Sequence, residues 1–256
     1  MLRTFLLAAA LTIGILVVLL AIEIGLAYTR TYLPTEPSLA LGGSFGPKDG
    51  ERLRFVVLGD STAAGLGAGS AEHAYATVLS ERLGAEGYRV ELVAHGVSGA
   101  RVGTVLEDQV PLALQSDPDL IFVGIGANDS THLTSLSSVE HDMDELLARL
   151  ETTGASVVVA GPPDMRAHAW LEPLRSIVGW RGRQVADRIE AVARRRGHLV
   201  VQLAEKAGPY FAAHPDEAYG GDNFHPGPGG YRAWADAIYP VLMQALGDRV
   251  DAGNAP

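Results

Sequence analysis

The residues of this chain that could do chemistry fall in short blocks far apart along it. Gly59-Asp60-Ser61-Thr62 places a hydroxyl directly after an apolar run, and Asp222-Asn223-Phe224-His225 places a carboxylate three residues before an imidazole. A serine, a base that takes its proton and an acid that orients the base are the parts of nucleophilic acyl chemistry. The acid-to-imidazole spacing lets one short loop fold Asp222 back onto the His225 ring. Gly220, Gly221, Pro226, Gly227 and Pro228 would hold that loop in a defined, non-helical shape. Donors for a developing oxyanion are offered by the backbone N–H groups of Ser61 and Gly96 and by the side-chain amide of Asn128.

Each block has a competing reading. Gly-Asp-Ser is also a common strand-to-helix turn, with Ser or Asp as the cap. Ser98 is a rival nucleophile, but Gly96-Val97-Ser98-Gly99-Ala100 does not complete a Gly-x-Ser-x-Gly elbow, and no other serine does. Asp129-Ser130-Thr131-His132 repeats the acid-to-imidazole separation. It follows Asn128 on the same loop, which suits a rim position for His132 better than a base. His95 adjoins Gly96, and the remaining histidines lack a motif context. Asn128-Asp129-Ser130 also fits a turn or a glycosylation sequon, and a glycan there would block the site.

The elements needed to bring these blocks together are legible as an alternation. Arg54 to Leu58, Tyr88 to Ala94, Leu120 to Gly124, Ser156 to Ala160 and Leu199 to Leu203 read as five strands, the first a run of Phe, Val and Leu with the composition of a buried parallel strand. Helical spacing covers Ala74 to Leu83, a weaker stretch from Val102 to Leu114 broken by Pro111, Ser138 to Leu150, Arg181 to Arg195, and about Gly229 to Leu246. Strands alternating with helices predict a parallel sheet covered on both faces by right-handed crossovers. Such sheets carry their chemistry in loops after strand carboxyl ends, which is where Ser61, Gly96 and Asn128 fall.

The chain has 256 residues, a formal charge of −10 and no cysteine. The acidic balance, with no dense Lys/Arg stripe, argues against nucleic acid as a partner. Without thiols there is no thiol catalysis, Cys-ligated zinc, disulfide or lipidated cysteine. Phe5 to Ile22 is an unbroken apolar run, long enough to cross a hydrocarbon core of ~30 Å as a helix. We expect residues 1–28 to be a transmembrane anchor with the globular part outside the cytoplasm. The alternative is a secreted protein, cleaved near Gly25-Leu26-Ala27. Arg3 before the span against Arg30 after it gives only a thin orientation signal. Residues 29–52, rich in Pro and Gly, read as a linker, 53–248 as one domain and 249–256 as a tail.

In this order, Gly59-Asp60-Ser61-Thr62, Gly96, Gly126-Ala127-Asn128-Asp129 and Asp222-Asn223-Phe224-His225-Pro226 resemble the four blocks of the SGNH, or GDSL-type, hydrolases. Two positions depart from the pattern: Thr62 stands where the family name has leucine, and Ala94 where an asparagine often precedes the glycine block. The resemblance implies a three-layer α/β/α, flavodoxin-like domain that hydrolyses carboxylic esters with no metal or organic cofactor. It further implies Ser61 as nucleophile, His225 as general base and then acid, and Asp222 as the group that orients His225. The expected partner is an acyl ester. An acyltransferase, lysophospholipase or thioesterase would use the same residues, and a catalytically silent carbohydrate- or lipid-binding module is the alternative from another class. Met165 to Trp180, with Trp170, Leu171, Pro173 and Leu174, is expected either to overhang the site or simply to pack aromatics under a long loop.

Overall fold

A computed structural model describes residues 1–36 and 38–253. Helix α1 (Leu2–Thr29) is followed by strand β1 (Gly42–Phe45), β2 (Glu51–Gly59), helix α2 (Tyr75–Ala85) and β3 (Tyr88–Ala94). Next come α3 (Val102–Thr104), a π-helical turn Val105–Gln109, α4 (Val110–Gln115), β4 (Leu120–Gly124), the short α5 (Ala127–Thr131) and α6 (Leu136–Glu151). The chain continues through β5 (Ser156–Ala160), α7 (Leu174–Arg195), β6 (Leu199–Val201), α8 (Leu203–Ala213), α9 (Pro215–Ala218) and α10 (Pro228–Gly253).

The sheet has the order β1-β3-β2-β4-β5-β6, with β1 antiparallel to β3 and every other pair parallel. The expected parallel sheet of five strands is therefore a mixed sheet of six. The added strand lies inside the expected linker. Its sequence, Gly-Gly-Ser-Phe, has no apolar alternation to betray it, and its position at a largely exposed edge is where glycine costs a sheet least. From β2 the chain crosses to β3 on one side and later to β4 on the other. The carboxyl end of β2 is thus the switch point at which an open α/β sheet leaves a crevice.

Alternation along the strands supplies both faces with core. Phe55 and Val57 of β2 join Leu79 and Leu83 of α2 and Tyr231, Trp234 and Ile238 of α10 on one face. Val56 and Leu58 meet Val139, Met143 and Leu147 of α6 and Val185 and Ile189 of α7 on the other. The helix from Val102 is not ended by Pro111. The π turn before it starts a fresh segment, so the proline falls in a first turn, where its missing N–H is not needed. Helix α6 begins where Ser135 accepts the Ser138 N–H as a cap. Helix α7 begins at Leu174, before the expected Arg181, because Gly179 and Gly182 are packing positions: a Cβ at either would strike Arg166 or Met165. Helix α10 runs past the expected end at Leu246 to Gly253, and residues 254–256 of the expected tail lie outside the described residues.

Candidate active site

Strand β2 delivers Ser61 to the carboxyl edge of the sheet, and the turn after it is tightly held. The buried Gln109 side chain donates through Nε2 to the Gly59 carbonyl at 2.8 Å and accepts the Gly59 N–H at 2.9 Å, closing the end of the strand. Asp60, also buried, accepts the Thr62 N–H at 2.9 Å and the Thr62 hydroxyl at 2.8 Å. Backbone bonds from Ala64 to Asp60 and from Leu66 to Ser61 complete a single compact turn. Burial raises the Asp60 carboxyl above the usual range, against the opposing pull of its bonds to Thr62. Thr62, the departure from the family pattern, supplies the partner that keeps Asp60 satisfied.

The second segment is the loop before α10. The Gly220 N–H donates to the His225 carbonyl at 2.8 Å, and Asn223 takes a left-handed φ of 57°, which its short polar side chain tolerates. This folds Asp222 under the ring, as the spacing suggested. His225 Nδ1 and Asp222 Oδ2 are 2.7 Å apart, and His225 Nε2 and Ser61 Oγ are 3.2 Å apart. An ionised carboxylate can only accept, so Nδ1 carries the proton and Nε2 is left as the acceptor for the Ser61 hydroxyl. Burial alone would raise the Asp222 carboxyl. The ring bond, together with the backbone N–H groups of Phe224, His225 and Leu33, outweighs burial and holds it well below the usual carboxylate range.

The other predicted residues are placed less uniformly. Asn128, at the start of α5, lines the same cavity as Ser61 and His225, and its Nδ2 donates to the Ala100 carbonyl at 3.0 Å. Gly96 lies against the backbone of Ala63 and Ala64 so closely that a Cβ would clash with both. From its loop, Ser98 and Gly99 line the cavity. His132 sits on the rim with Nδ1 2.9 Å from the Asn128 carbonyl oxygen. Ser98 has no imidazole or carboxylate within hydrogen-bond reach among the described residues.

Several contacts around the candidate site have no motif in the sequence. The Leu33 N–H, from the expected linker, donates to Asp222 Oδ2 at 3.1 Å. Tyr32 accepts from Trp170 Nε1 at 3.2 Å, and the Trp170 ring packs at a tilt against Phe224, centroids 5.1 Å apart, next to His225. Met165, Ala167, Ala169 and Trp170 are buried, so the first half of the 165–180 stretch braces the histidine loop; Trp180 is exposed. Both expectations for this stretch hold in part, since Met165, Trp170, Leu174 and Ile177 also line the cavity.

A family model for the GDSL-like lipase/acylhydrolase family matches residues 57–233. The chain belongs to that family. It is 30% identical over 202 residues to a GDSL-like esterase of Mycobacterium tuberculosis, a match covering 78% of this chain and 64% of the relative. It is 27% identical over 106 residues to an arylesterase of Vibrio mimicus, covering 41% of this chain and 52% of that protein. The chain thus spans less than two thirds of the length of these curated relatives. Among solved structures, TesA superposes with a TM-score of 0.62 at 20% identity, over 75% of this chain and 99% of TesA, which establishes the shared fold.

Proposed function

We propose that this GDSL-family protein is a carboxylic ester hydrolase that works through an acyl-enzyme on Ser61. His225 Nε2 takes the Ser61 proton as Oγ bonds to the ester carbonyl carbon. Collapse of the tetrahedral intermediate breaks the bond to the leaving alkoxide, which departs with that proton. Water then attacks the acyl carbon, gives a proton to His225, and the restored Ser61 hydroxyl takes it back as the acid leaves. Asp222 keeps the imidazole in the tautomer and orientation that both halves need. The Asn128 amide and the Ser61 and Gly96 N–H groups are assigned to the oxyanion. The observation that carries the reading is the continuous hydrogen-bonded line Asp222–His225–Ser61, whose last two members line one cavity. A panel of acetyl, butyryl, octanoyl and palmitoyl esters, assayed with and without detergent, is expected to show turnover. Binding of glycan or lipid with no turnover anywhere in the panel would overturn it in favour of a silent binding module.

We also propose that α1 anchors the protein and that the catalytic domain lies outside the cytoplasm. Among the described residues α1 is the one helix long and apolar enough to span a membrane, and nearly all of it is exposed. Retention of the helix rather than cleavage after Ala27 is favoured by the contacts of its last turns. Glu23 Oε2 accepts the Leu171 N–H at 2.9 Å, and Ala27 packs on the cluster around Trp170. Mass spectrometry of the membrane fraction should find residues 1–27 still attached; a mature chain beginning at Tyr28 in the soluble fraction would refute the anchor.

A further inference from the structure

The cavity that holds Ser61 is large for a short ester. Its volume is about 910 Å³, near the upper end of the ~300–1,000 Å³ usual for small-molecule sites. The catalytic domain does not enclose it alone. Leu20, Ile24 and Ala27 of α1 form one wall, and Leu174, Ile177 and Val178 at the start of α7 form another. Apolar side chains therefore extend from the reacting atoms to the last turns of the helix proposed as the anchor.

The length of α1 fixes where that wall meets the bilayer. At ~1.5 Å per residue, a hydrocarbon core of ~30 Å takes ~20 residues. The apolar run from Phe5 to Ile22, which follows Arg3, supplies 18 of them, so the span ends near Ile22. Glu23 follows, buried and hydrogen-bonded to Leu171 of the domain, so the helix has left the lipid and docked by that point. Leu20, the lining residue farthest toward the amino terminus, then sits at the edge of the hydrocarbon. On that count, with α1 as anchor, the cavity opens at the membrane boundary.

We propose that the last turns of α1 are part of the substrate site: the acyl chain of an ester embedded in the bilayer runs along Leu20, Ile24 and Ala27 to reach Ser61. This rests on the reading of Ser61 as nucleophile and of α1 as a retained anchor. A chain following this wall passes from hydrocarbon to apolar groove without exposing its methylenes to water. Leu20, Ile24 and Ala27 would thereby select for long acyl groups, and the helix would act in specificity as well as tethering.

The absence of cysteine makes the test direct, because Ile24→Cys introduces one thiol at a half-exposed position of the wall. The full chain, carrying Ser61→Ala to prevent turnover, is placed in vesicles of a phosphatidylcholine whose branched chains are ether-linked, so that no acyl ester is present beforehand, and treated with a water-soluble maleimide. Monohexadecanoylglycerol should slow modification of that thiol about fivefold when present at a few times its dissociation constant, and monoacetylglycerol should not. A thiol introduced by Arg30→Cys, outside the cavity, should react at the same rate with either. Equal rates for the Ile24→Cys thiol with and without the hexadecanoyl ester would overturn the proposal. In the chain with Ser61 intact, Ala27→Trp should lower the ratio of hexadecanoyl to acetyl ester turnover by about tenfold or more, the scale on which a blocked apolar subsite discriminates; an unchanged ratio would also overturn it. Protection of the Ile24→Cys thiol in a protein whose native form hydrolyses no ester would uphold the groove and sink the hydrolase reading, so the two fail separately.

Discussion

Replacing Leu33 by proline removes a single N–H from the candidate site while leaving Ser61, His225 and Asp222 in place. In the native chain Asp222 Oδ2 receives the Leu33 N–H at 3.1 Å and the His225 ring at 2.7 Å, while Oδ1 receives the N–H groups of Phe224 and His225 at 3.0 and 2.9 Å. A hydrogen bond to a charged acceptor contributes about 1.5–3 kcal/mol. The other donors retain most of the carboxylate's position, so the lower end applies, and 1.36 kcal/mol corresponds to tenfold in rate. Leu33→Pro should therefore reduce kcat/KM about tenfold relative to Leu33→Ala, which keeps the N–H and loses the same side-chain packing. Stability gives a second readout. A depressed carboxyl stabilises the fold above the ordinary carboxylate range and loses that contribution as pH falls. Thermal unfolding should thus separate Leu33→Pro from Leu33→Ala at pH 7, and the gap should narrow below about pH 4. Identical kcat/KM for the two variants, with a pH-independent stability gap, would refute the idea that this amide supports Asp222.

Three further outcomes follow from the same geometry. Asn128→Ala should lower kcat by about 10²–10³ with KM little changed, as for the loss of a donor used only in the transition state; a pure KM effect in steady-state kinetics would assign Asn128 to binding. Gly96→Ala forces a methyl into the backbone of Ala63 and Ala64, so it should destabilise the domain by about 1–3 kcal/mol in urea unfolding and depress turnover through the displaced Ser61 turn; native stability would contradict the packing. Asp60 carries a carboxyl raised by burial, whose contribution to stability is present below the ordinary carboxylate range and lost as pH rises. Asp60→Asn should therefore gain little near pH 4 and more toward pH 7, at about 2–4 °C in Tm for each kcal/mol recovered; a gain that does not change with pH would contradict this.

What could be read in advance was whatever depends on neighbours in sequence. The bounds of β4 and β5 follow from apolar runs ended by Gly or Ala, those of β3 from the alternation of Val90 and Leu92 with Arg89 and Glu91, and the Asp222–His225 pair from a three-residue spacing inside a Gly/Pro-rich loop. Strand β1 was hidden because an edge strand need not alternate, and α8 because Gly208 and Pro209 interrupt it as a loop would. Nor could the sequence reveal Leu33 or Gln109. The first acts through a backbone N–H that any residue but proline possesses, and the second through a buried amide fifty positions from the strand end it closes. In the sequence Glu23 does no more than follow the apolar run that ends at Ile22. Its role as a docking point becomes visible only once the loop at Leu171 is in place.

The account depends most on the Ser61 hydroxyl being the group that attacks. Incubating the native chain with a fluorophosphonate and mapping the adduct by peptide mass spectrometry tests this directly. The predicted result is a single modified residue, Ser61, with labelling and hydrolysis of short acyl esters both lost in Ser61→Ala. An adduct on Ser98 or elsewhere, or hydrolysis persisting in Ser61→Ala, would contradict it.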